Sequence, residues 1–544
     1  MDNQIQKRVF QAMENSSFYP HPVSSIRQKD THISKVFLTG NYVYKIKKPF
    51  DLGFLDFSTL EKRRYYCCRE IFLNRRLTND TYLDVVAITR NNGVVCLGGK
   101  GDPIEYAVRM RQLSDSKSLH HMIKTGEINK MDLVSLGRML AQFHFQTPKS
   151  ELLHTGEGWK NIYDACRENF RQTEDSCGIF LDKEIWETVR GATLSFLKNH
   201  QSYFNHRLKT DKIRDCHGDL RTGHIYFTDT GIQIIDCIEF NDKLRHIDVI
   251  NDLAFLLMDL DFNEEPGFGD CLFNEFLRHT NDLNGFLILA FYKCYRALVR
   301  CKVNCILLRS PDLLPAKRKS VHLNAIKYLD LASQYALQFF RPRIWVIFGR
   351  PATGKSTIAK KLSAVLGIKT IRSDAVRKQI FGLQPHESGT DLFGEKLYSP
   401  LATSLTYGKL LCLAGEEIEN GKSVILDATY SKARHREEVI HLAKEKGIKP
   451  VFIECRAEER IIKERLLGRQ FSPSVSDARI DHFEKLTARY ERFRYAGSAL
   501  HIRVNTALPI EDVLIKILIQ AFRIDSNPMI DIGQTESKMV YDNR

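Results

Sequence analysis

At 544 residues, with 43% hydrophobic and 27% charged residues, the chain is long enough for two or three folded units and has an ordinary globular composition. Its formal net charge of +14 suits an anionic substrate without singling out nucleic acid, and no apolar run approaches the length of a membrane span. The 13 cysteines, an odd number, occur with no CxxC pair, no metal-type Cys/His spacing and no N-terminal secretory segment, so the chain reads as cytoplasmic and reduced.

Residues 1–35 read as a helix and then a loop around Pro20 and Pro22. From Lys35 the pattern turns β, first VFLTG and then NYVYKIKKP. Lys45 falls inside this apolar strand, where an ammonium needs an anionic partner. Thr59–Leu77 is a charged helical stretch containing Glu70. Asp84–Arg90 and Gly93–Leu97 alternate around Asn91-Asn92-Gly93 as a hairpin, and Glu105–Leu113 is one further strand. The N-terminal part is therefore a small sheet carrying one helix between its strands.

After Ser114 the chain becomes helical, through Leu133–His144 and the stretch Trp159–Phe204. Cys216–Asn241 then holds a polar loop and two strands, Ile225–Phe227 and Ile232–Ile235, joined by a turn at Asp229-Thr230-Gly231. Both strands deliver a carboxylate-bearing loop to the same end. Helices over Ile250–Leu260, Asn284–Leu308 and Ala316–Phe339 follow, and Arg341-Pro342-Arg343 reads as a short linker.

His217-Gly218-Asp219-Leu220, His224 and Ile235-Asp236 supply what a phosphotransferase needs. One carboxylate must take the proton of an attacking hydroxyl, and another must hold Mg²⁺ against nucleotide phosphates. Lys45 and Glu70 supply the phosphate-binding ion pair. On VYKIKK, the helix with Glu70, HGDL, the hairpin with IDCIEF and the later DLAFL, the sequence resembles the aminoglycoside phosphotransferase family over roughly residues 30–335. The resemblance implies a two-lobed α+β kinase-like fold that uses ATP and Mg²⁺. It implies Asp219 as catalytic base, Asp236 as Mg²⁺ ligand, Lys45 with Glu70 as nucleotide clamp, and Tyr106–Ser114 as the hinge beside the adenine. That family usually places Asn where this chain has His224. As a metal ligand, His224 would suit Mn²⁺ better than Mg²⁺. The alternatives are that it bonds a carboxylate, that the site uses fewer metals, or that this half is a catalytically silent ligand-binding module.

Ile344–Phe348 reads as a buried parallel strand. Gly349-Arg350-Pro351-Ala352-Thr353-Gly354-Lys355-Ser356 then fits G-x-x-x-x-G-K-[ST], and Thr357 continues into a helix. The loop and helix N-terminus cradle phosphate, Lys355 reaches the β/γ oxygens and Ser356 ligates Mg²⁺. Ile368–Arg372 is a second strand, at whose end Asp374 is placed to take a substrate proton and Arg377 to hold an anionic substrate group. Ser423–Leu426 leads to Asp427, a Walker-B-like position that orients the metal's hydration shell. After a fourth strand, Pro450–Cys455, a helix is expected to carry Arg456, Arg460, Arg465 and Arg469, the last two on one face as a lid.

On SDAVR and ERLLGR this half resembles the small P-loop kinases with an AAA-type ATP-binding domain, among them gluconate kinase, polynucleotide 5′-kinase and the zeta-toxin group, over roughly residues 343–525. The whole chain thus reads as an α+β kinase-like unit (residues 1–340), a doubly wound α/β P-loop unit with a parallel sheet (343–525) and a polar tail (526–544). The expected activity is ATP- and Mg²⁺-dependent phosphorylation of small hydroxyl-bearing substrates at both sites, with no membrane partner. The alternative is a P-loop kinase, acting on a nucleic-acid 5′ end or a nucleotide sugar, regulated by a silent N-terminal half.

Overall fold

A computed structural model describes residues 2–51, 53, 55–149, 158–311, 313–383, 397, 399–468, 487, 490–493 and 499–522. The N-terminal lobe is built from α1 (Asp2–Met13), β1 (Arg27–Asp30), β2 (Ser34–Leu38), β3 (Tyr42–Lys47), α2 (Leu60–Asn74), β4 (Tyr82–Asn91), β5 (Val94–Leu97) and β6 (Asp102–Arg111). Its strands form an antiparallel sheet in the order β1-β2-β3-β6-β4-β5. Alternation along β3 decides which side chains reach which layer. Tyr44 and Ile46 pack with Val9 and Met13 of α1, while Val43 packs with Cys67 and Ile71 of α2. Lys45 and Lys47, in register with Val43, are thereby aimed at α2. That helix starts at Thr59, whose hydroxyl accepts the Lys62 N–H.

The helical lobe follows with α3 (Leu119–Thr125), α4 (Lys130–Gln146), α5 (Gly158–Thr173), α6 (Lys183–Asn199) and α7 (Gln201–Lys209). Four short strands come next, β7 (Ile213–Asp215), β8 (Ile225–Thr228), β9 (Gly231–Ile234) and β10 (His246–Asp248), pairing as β8–β9 and β7–β10. Then come α8 (Val249–Phe262), α9 (Pro266–Thr280), α10 (Phe286–Arg309) and α11 (Pro315–Phe340). α8 is buried from Val249 to Leu260, so it is the axis of this lobe. The expected two-lobed α+β arrangement is present.

The C-terminal part is doubly wound, as expected. It contains β11 (Ile344–Phe348), α12 (Lys355–Leu366), β12 (Lys369–Arg372), α13 (Ser373–Ile380), α14 (Pro400–Glu419), β13 (Val424–Asp427), α15 (Ala433–Glu445), β14 (Val451–Arg456), α16 (Glu459–Gly468), β15 (Leu500–Asn505) and α17 (Ile510–Phe522). The sheet is parallel throughout in the order β12-β13-β11-β14-β15. Every residue of the central β11 is buried, which is why it reads as an uninterrupted apolar run.

Three local readings are corrected. β1 and α9 were not anticipated: β1 is fully exposed and polar, and α9 opens with Pro266 at its first turn, a position that starts helices as readily as it breaks them. Arg456 does not ride on the following helix. It ends β14 and pairs with Glu454 at 3.0 Å. Arg469 and the polar tail lie outside the described residues.

The two parts share one apolar interior. The Phe522 ring of α17 lies 6.0 Å from Trp345 in β11 and 6.4 Å from Phe286 in α10, with the Arg343 guanidinium over it at 4.8 Å. Arg278 of α9 faces Asp512 of α17 at 3.8 Å. Among the described residues, no helix is long and apolar enough to cross a membrane.

Candidate functional site

In the N-terminal part, β3, α2 and the loop after β9 converge on one buried network. The Lys45 ammonium lies 2.8 Å from Glu70 Oε1 and 2.8 Å from Asp236 Oδ1. Burial works against the charged amine, but Asp236 and then Glu70 outweigh it and hold the Lys45 pKa well above its usual value. The Asp236 backbone has φ +62°, an unusual state for a residue with a side chain, and its N–H donates to the Tyr82 hydroxyl at 3.2 Å. The next N–H, of Cys237, donates to Asn74 Oδ1 at 2.9 Å, tying this loop to α2.

Sequence reasoning missed the second lysine. Lys47 is fully buried, donates to Glu70 Oε2 at 2.7 Å and also bonds Glu239. Glu70 therefore bridges both lysines, and Glu239 continues the chain of charges back to the Asp236 loop. The signal was available, because KIK places two lysines on one strand face two residues apart.

Asp219 stands on the loop before β8, anchored from below. The Asp252 carboxylate in α8 accepts the N–H groups of His217 (3.0 Å) and Gly218 (2.8 Å) and faces His144 Nε2 at 3.0 Å. His144, Cys216 and Asp252 do bring potential metal-ligand atoms within 4.8 Å of one another. With the Asp252 carboxylate committed to these N–H groups, the cluster serves as the loop's anchor.

The Asp219 carboxylate is held by Arg221, Nε to Oδ1 at 2.9 Å and Nη2 to Oδ2 at 3.0 Å. Burial would raise its pKa, but Arg221, then His224 and Arg300, override that and hold the carboxyl well below its usual range. Arg221 was missed, since a loop residue two positions past an aspartate gives no periodic signal. His224 sits between the carboxylates, with Nδ1 3.7 Å from Asp219 Oδ2 and Nε2 4.0 Å from Asp236 Oδ2. Arg221 Nη2 lies 2.8 Å from His224 Nε2, and His224 Nδ1 lies 2.9 Å from the Asp219 carbonyl. A guanidinium cannot accept and a carbonyl cannot donate, so Nδ1 carries the proton and Nε2 is a lone pair. The ring is neutral, in keeping with a pKa lowered by burial and by Arg221.

This donor set fits a divalent cation with nucleotide phosphates once Arg221 releases His224 Nε2, whose lone pair it now occupies. Asp236 supplies a carboxylate, His224 a neutral nitrogen, and Lys45 already sits against the Asp236 oxygen as a cation would.

In the C-terminal part, the strand-to-helix loop after β11 is shaped by close backbone approach. Gly349 has φ +145°, and a Cβ there would lie 2.4 Å from the Cys455 carbonyl, so no other residue fits. Ala352 adopts φ +59° and Gly354 φ +84°. Lys355 Nζ is folded onto the Arg350 carbonyl at 2.7 Å, and Thr353 Oγ1 donates to the same oxygen at 2.8 Å. Pro351 is buried, whereas Ser356 and Thr357 are exposed at the start of α12. Asp427 at the end of β13 is buried and lies 3.4 Å from Arg372 Nε. Burial, with the Asp427 charge adding to it and Arg377 opposing, raises the pKa of Asp374 at the start of α13. Arg377, one turn on, is buried.

Arg465 of α16 is engaged with the loop from above. It donates to Thr506 O at 2.8 Å, to Thr506 Oγ1 at 3.1 Å and to Ala352 O at 3.5 Å, while Thr506 Oγ1 donates to Thr353 O at 2.7 Å. The exposed hydroxyl of Ser356, the glycine-lined turn and the lysine fit a nucleotide triphosphate with its metal.

Residues 344–493 match the family model described as an AAA domain. Over 498 residues the chain is 28% identical to an uncharacterized protein of Mycobacterium tuberculosis, covering 89% of this chain and 97% of that one. Among solved structures, a gluconokinase from Sinorhizobium meliloti covers 34% of this chain and 92% of its own at 18% identity, with a TM-score of 0.24. A choline/ethanolamine kinase family protein from Mesorhizobium loti covers 60% of this chain and 99% of its own at 13% identity, with a TM-score of 0.37.

Proposed function

We propose that the chain is a cytoplasmic, two-site ATP-dependent phosphotransferase, with one site in residues 1–340 and one in residues 343–525, each acting on a hydroxyl of a small molecule. The observation that carries this reading is the Lys45 bridge between Glu70 and Asp236, 2.8 Å to each, set beside Asp219. In the N-terminal site, Lys45 and Glu70 hold the nucleotide phosphates and Asp219 accepts the proton of the acceptor hydroxyl. The hydroxyl oxygen forms its bond to the γ-phosphorus as the bond to the β-bridging oxygen breaks, and ADP leaves. A divalent ion held by Asp236 and His224 would neutralise phosphate charge, and the imidazole nitrogen makes Mn²⁺ as suitable there as Mg²⁺.

In the C-terminal site the loop Gly349–Thr357 holds the triphosphate, with Lys355 turning from the Arg350 carbonyl to the phosphates. Ser356 and Asp427 are the metal-side groups. Asp374 is the base, its raised pKa bringing it nearer the working range of a proton acceptor. Arg377 orients the acceptor, and Arg465, with Arg469, neutralises the transferring group.

The test is transfer of labelled γ-phosphate from ATP to a metabolite and oligonucleotide panel by the full chain, its Lys355→Ala variant and its Asp219→Ala variant. Each variant should lose one set of labelled products and keep the other. Loss of all transfer in Lys355→Ala alone, with Asp219→Ala unaffected, would support the second reading. In that reading the N-terminal half binds a ligand and regulates a P-loop kinase, and the closed Arg221–Asp219 pair favours it.

A further inference from the structure

Three arginines crowd the loop that carries Asp219. Arg221 closes on the carboxylate through two hydrogen bonds. Arg300 of α10 is near enough to depress the same carboxyl, and it stacks over Tyr328 of α11 with 5.7 Å to the ring centroid. Arg296, one turn earlier on α10 and only 5% exposed, donates from Nη1 to the Gly218 carbonyl at 3.1 Å. Among the described residues, two of their buried donors, Arg300 Nε and Arg296 Nη2, have no hydrogen-bond partner. Two further carboxylates at this loop are already taken, Asp252 by the His217 and Gly218 N–H groups and Asp259 by the N–H (2.9 Å) and hydroxyl (2.6 Å) of Thr222.

A buried guanidinium donor without a partner costs on the order of 1–3 kcal/mol, a penalty that an incoming acceptor of hydrogen bonds removes. While Arg221 grips both of its oxygens, Asp219 is held ionised and is a weak acceptor of a hydroxyl proton. Something must draw the guanidinium off, and an anion is the chemistry that does so, since planar guanidinium exchanges one carboxylate for another or for phosphate with little loss.

Building on the phosphotransferase reading of the N-terminal half, we propose that its acceptor is an anionic hydroxyl compound, carrying a carboxylate or phosphate group. Arg221 leaves Asp219 for that group as the acceptor enters. Arg300 completes the anion site, and the same movement frees Asp219 to take the hydroxyl proton. Neutral acceptors leave the base closed, and polycationic acceptors are repelled by the arginines.

The test uses the full chain carrying Lys355→Ala, so that C-terminal turnover is absent. With nucleotide sites filled by saturating Mg·ADP, inorganic phosphate is titrated calorimetrically. Arg221→Gln and Arg300→Gln should each weaken phosphate binding at least tenfold, and Arg221→Lys, which keeps the charge but not the fork, should fall between. Thermal unfolding of each variant checks that the fold persists. No phosphate binding by the parent, or binding unchanged in both glutamine variants, overturns the proposal.

Acceptor-dependent ADP release is then compared for matched pairs, gluconate against sorbitol and glycerate against glycerol, with choline as the cationic case. Faster release with an anionic member, lost in Arg221→Gln, supports the proposal. Equal or better release with sorbitol, glycerol or choline overturns it while leaving phosphotransfer standing. Phosphate binding that needs Arg221, with no release from any acceptor, keeps the anion site and refutes phosphotransfer at it.

Discussion

Asp219 and Asp236 lie on neighbouring loops and both have depressed pKa values, one held chiefly by Arg221 and the other by Lys45, and the proposed function gives them different work. Asp219→Asn keeps the shape and one of the two acceptors that Arg221 donates to, while removing proton acceptance. Acceptor-dependent turnover at the N-terminal site should fall by roughly 10²–10⁴ with little change in nucleotide affinity. Asp236→Ala should instead abolish metal-dependent nucleotide binding, read by titration of ATP with and without Mg²⁺ or Mn²⁺. Equal effects of both variants on binding would contradict the division.

A pH effect follows from the same loop. Burial lowers the fully buried His217 to about 4 from an ordinary 6.5, so between those values the unfolded chain binds a proton that the folded chain refuses. Stability should be complete above about pH 6.5 and decline as pH falls toward 4, by about 3 kcal/mol from this residue. His217→Gln should be less stable at pH 7 and less sensitive to acid, as measured by thermal unfolding across that window. At this scale the sequence was readable where a motif fixes the spacing, as for Lys45, Glu70, Asp219, Asp236 and Lys355. It was silent about Arg221, and it named Arg465 as a lid residue without its contacts to Thr506 and Ala352, which are chosen by loop conformation and not by periodicity.

Among the elements, β3 and α2 are joined by more than the expected single ion pair. Among the described residues, Lys47 is the one cation bonded to both Glu70 and Glu239, so Lys47→Met leaves Glu70 with Lys45 alone and takes from the buried Glu239 its ammonium partner. Breaking a buried pair this way typically costs about 3–5 kcal/mol, and a lower unfolding midpoint should accompany loss of nucleotide binding. Lys47→Met together with Glu239→Gln should recover part of that stability, and no recovery would mean that Lys47 acts by packing alone. Strands and helices with a regular apolar period were legible from sequence, including β11, α2 and the β8–β9 hairpin. The exposed β1 and the proline-led α9 were not, because one has no buried face and the other opens on Pro266, which gives no distinct start signal.

For the molecule as a whole, Arg341-Pro342-Arg343 reads in sequence as a joint between independent parts. In the folded chain, Phe522, Trp345 and Phe286 meet across that joint. Such contacts join residues far apart in the chain, so no local pattern announces them. Phe522→Ala should cost about 2–3 kcal/mol, near the lower end for a large apolar truncation because the ring is partly exposed. It should destabilise both halves together in calorimetry, whereas a loss confined to one transition would show that they melt separately. Residues 1–340 alone would bare the α9 and α10 faces that α17 covers and should be less stable than the same residues in the full chain.

That shared interior makes the two pockets partners in one ledger of occupancy. If the halves unfold in a single step, whatever fills one pocket holds the entire chain together. A nucleotide at about a hundred times its dissociation constant would add about 2.7 kcal/mol to the unfolding of the distant half as well as its own. A cell rich in ATP would then protect the N-terminal site from proteases through a ligand bound only at the C-terminal one, with no conformational message passing between them.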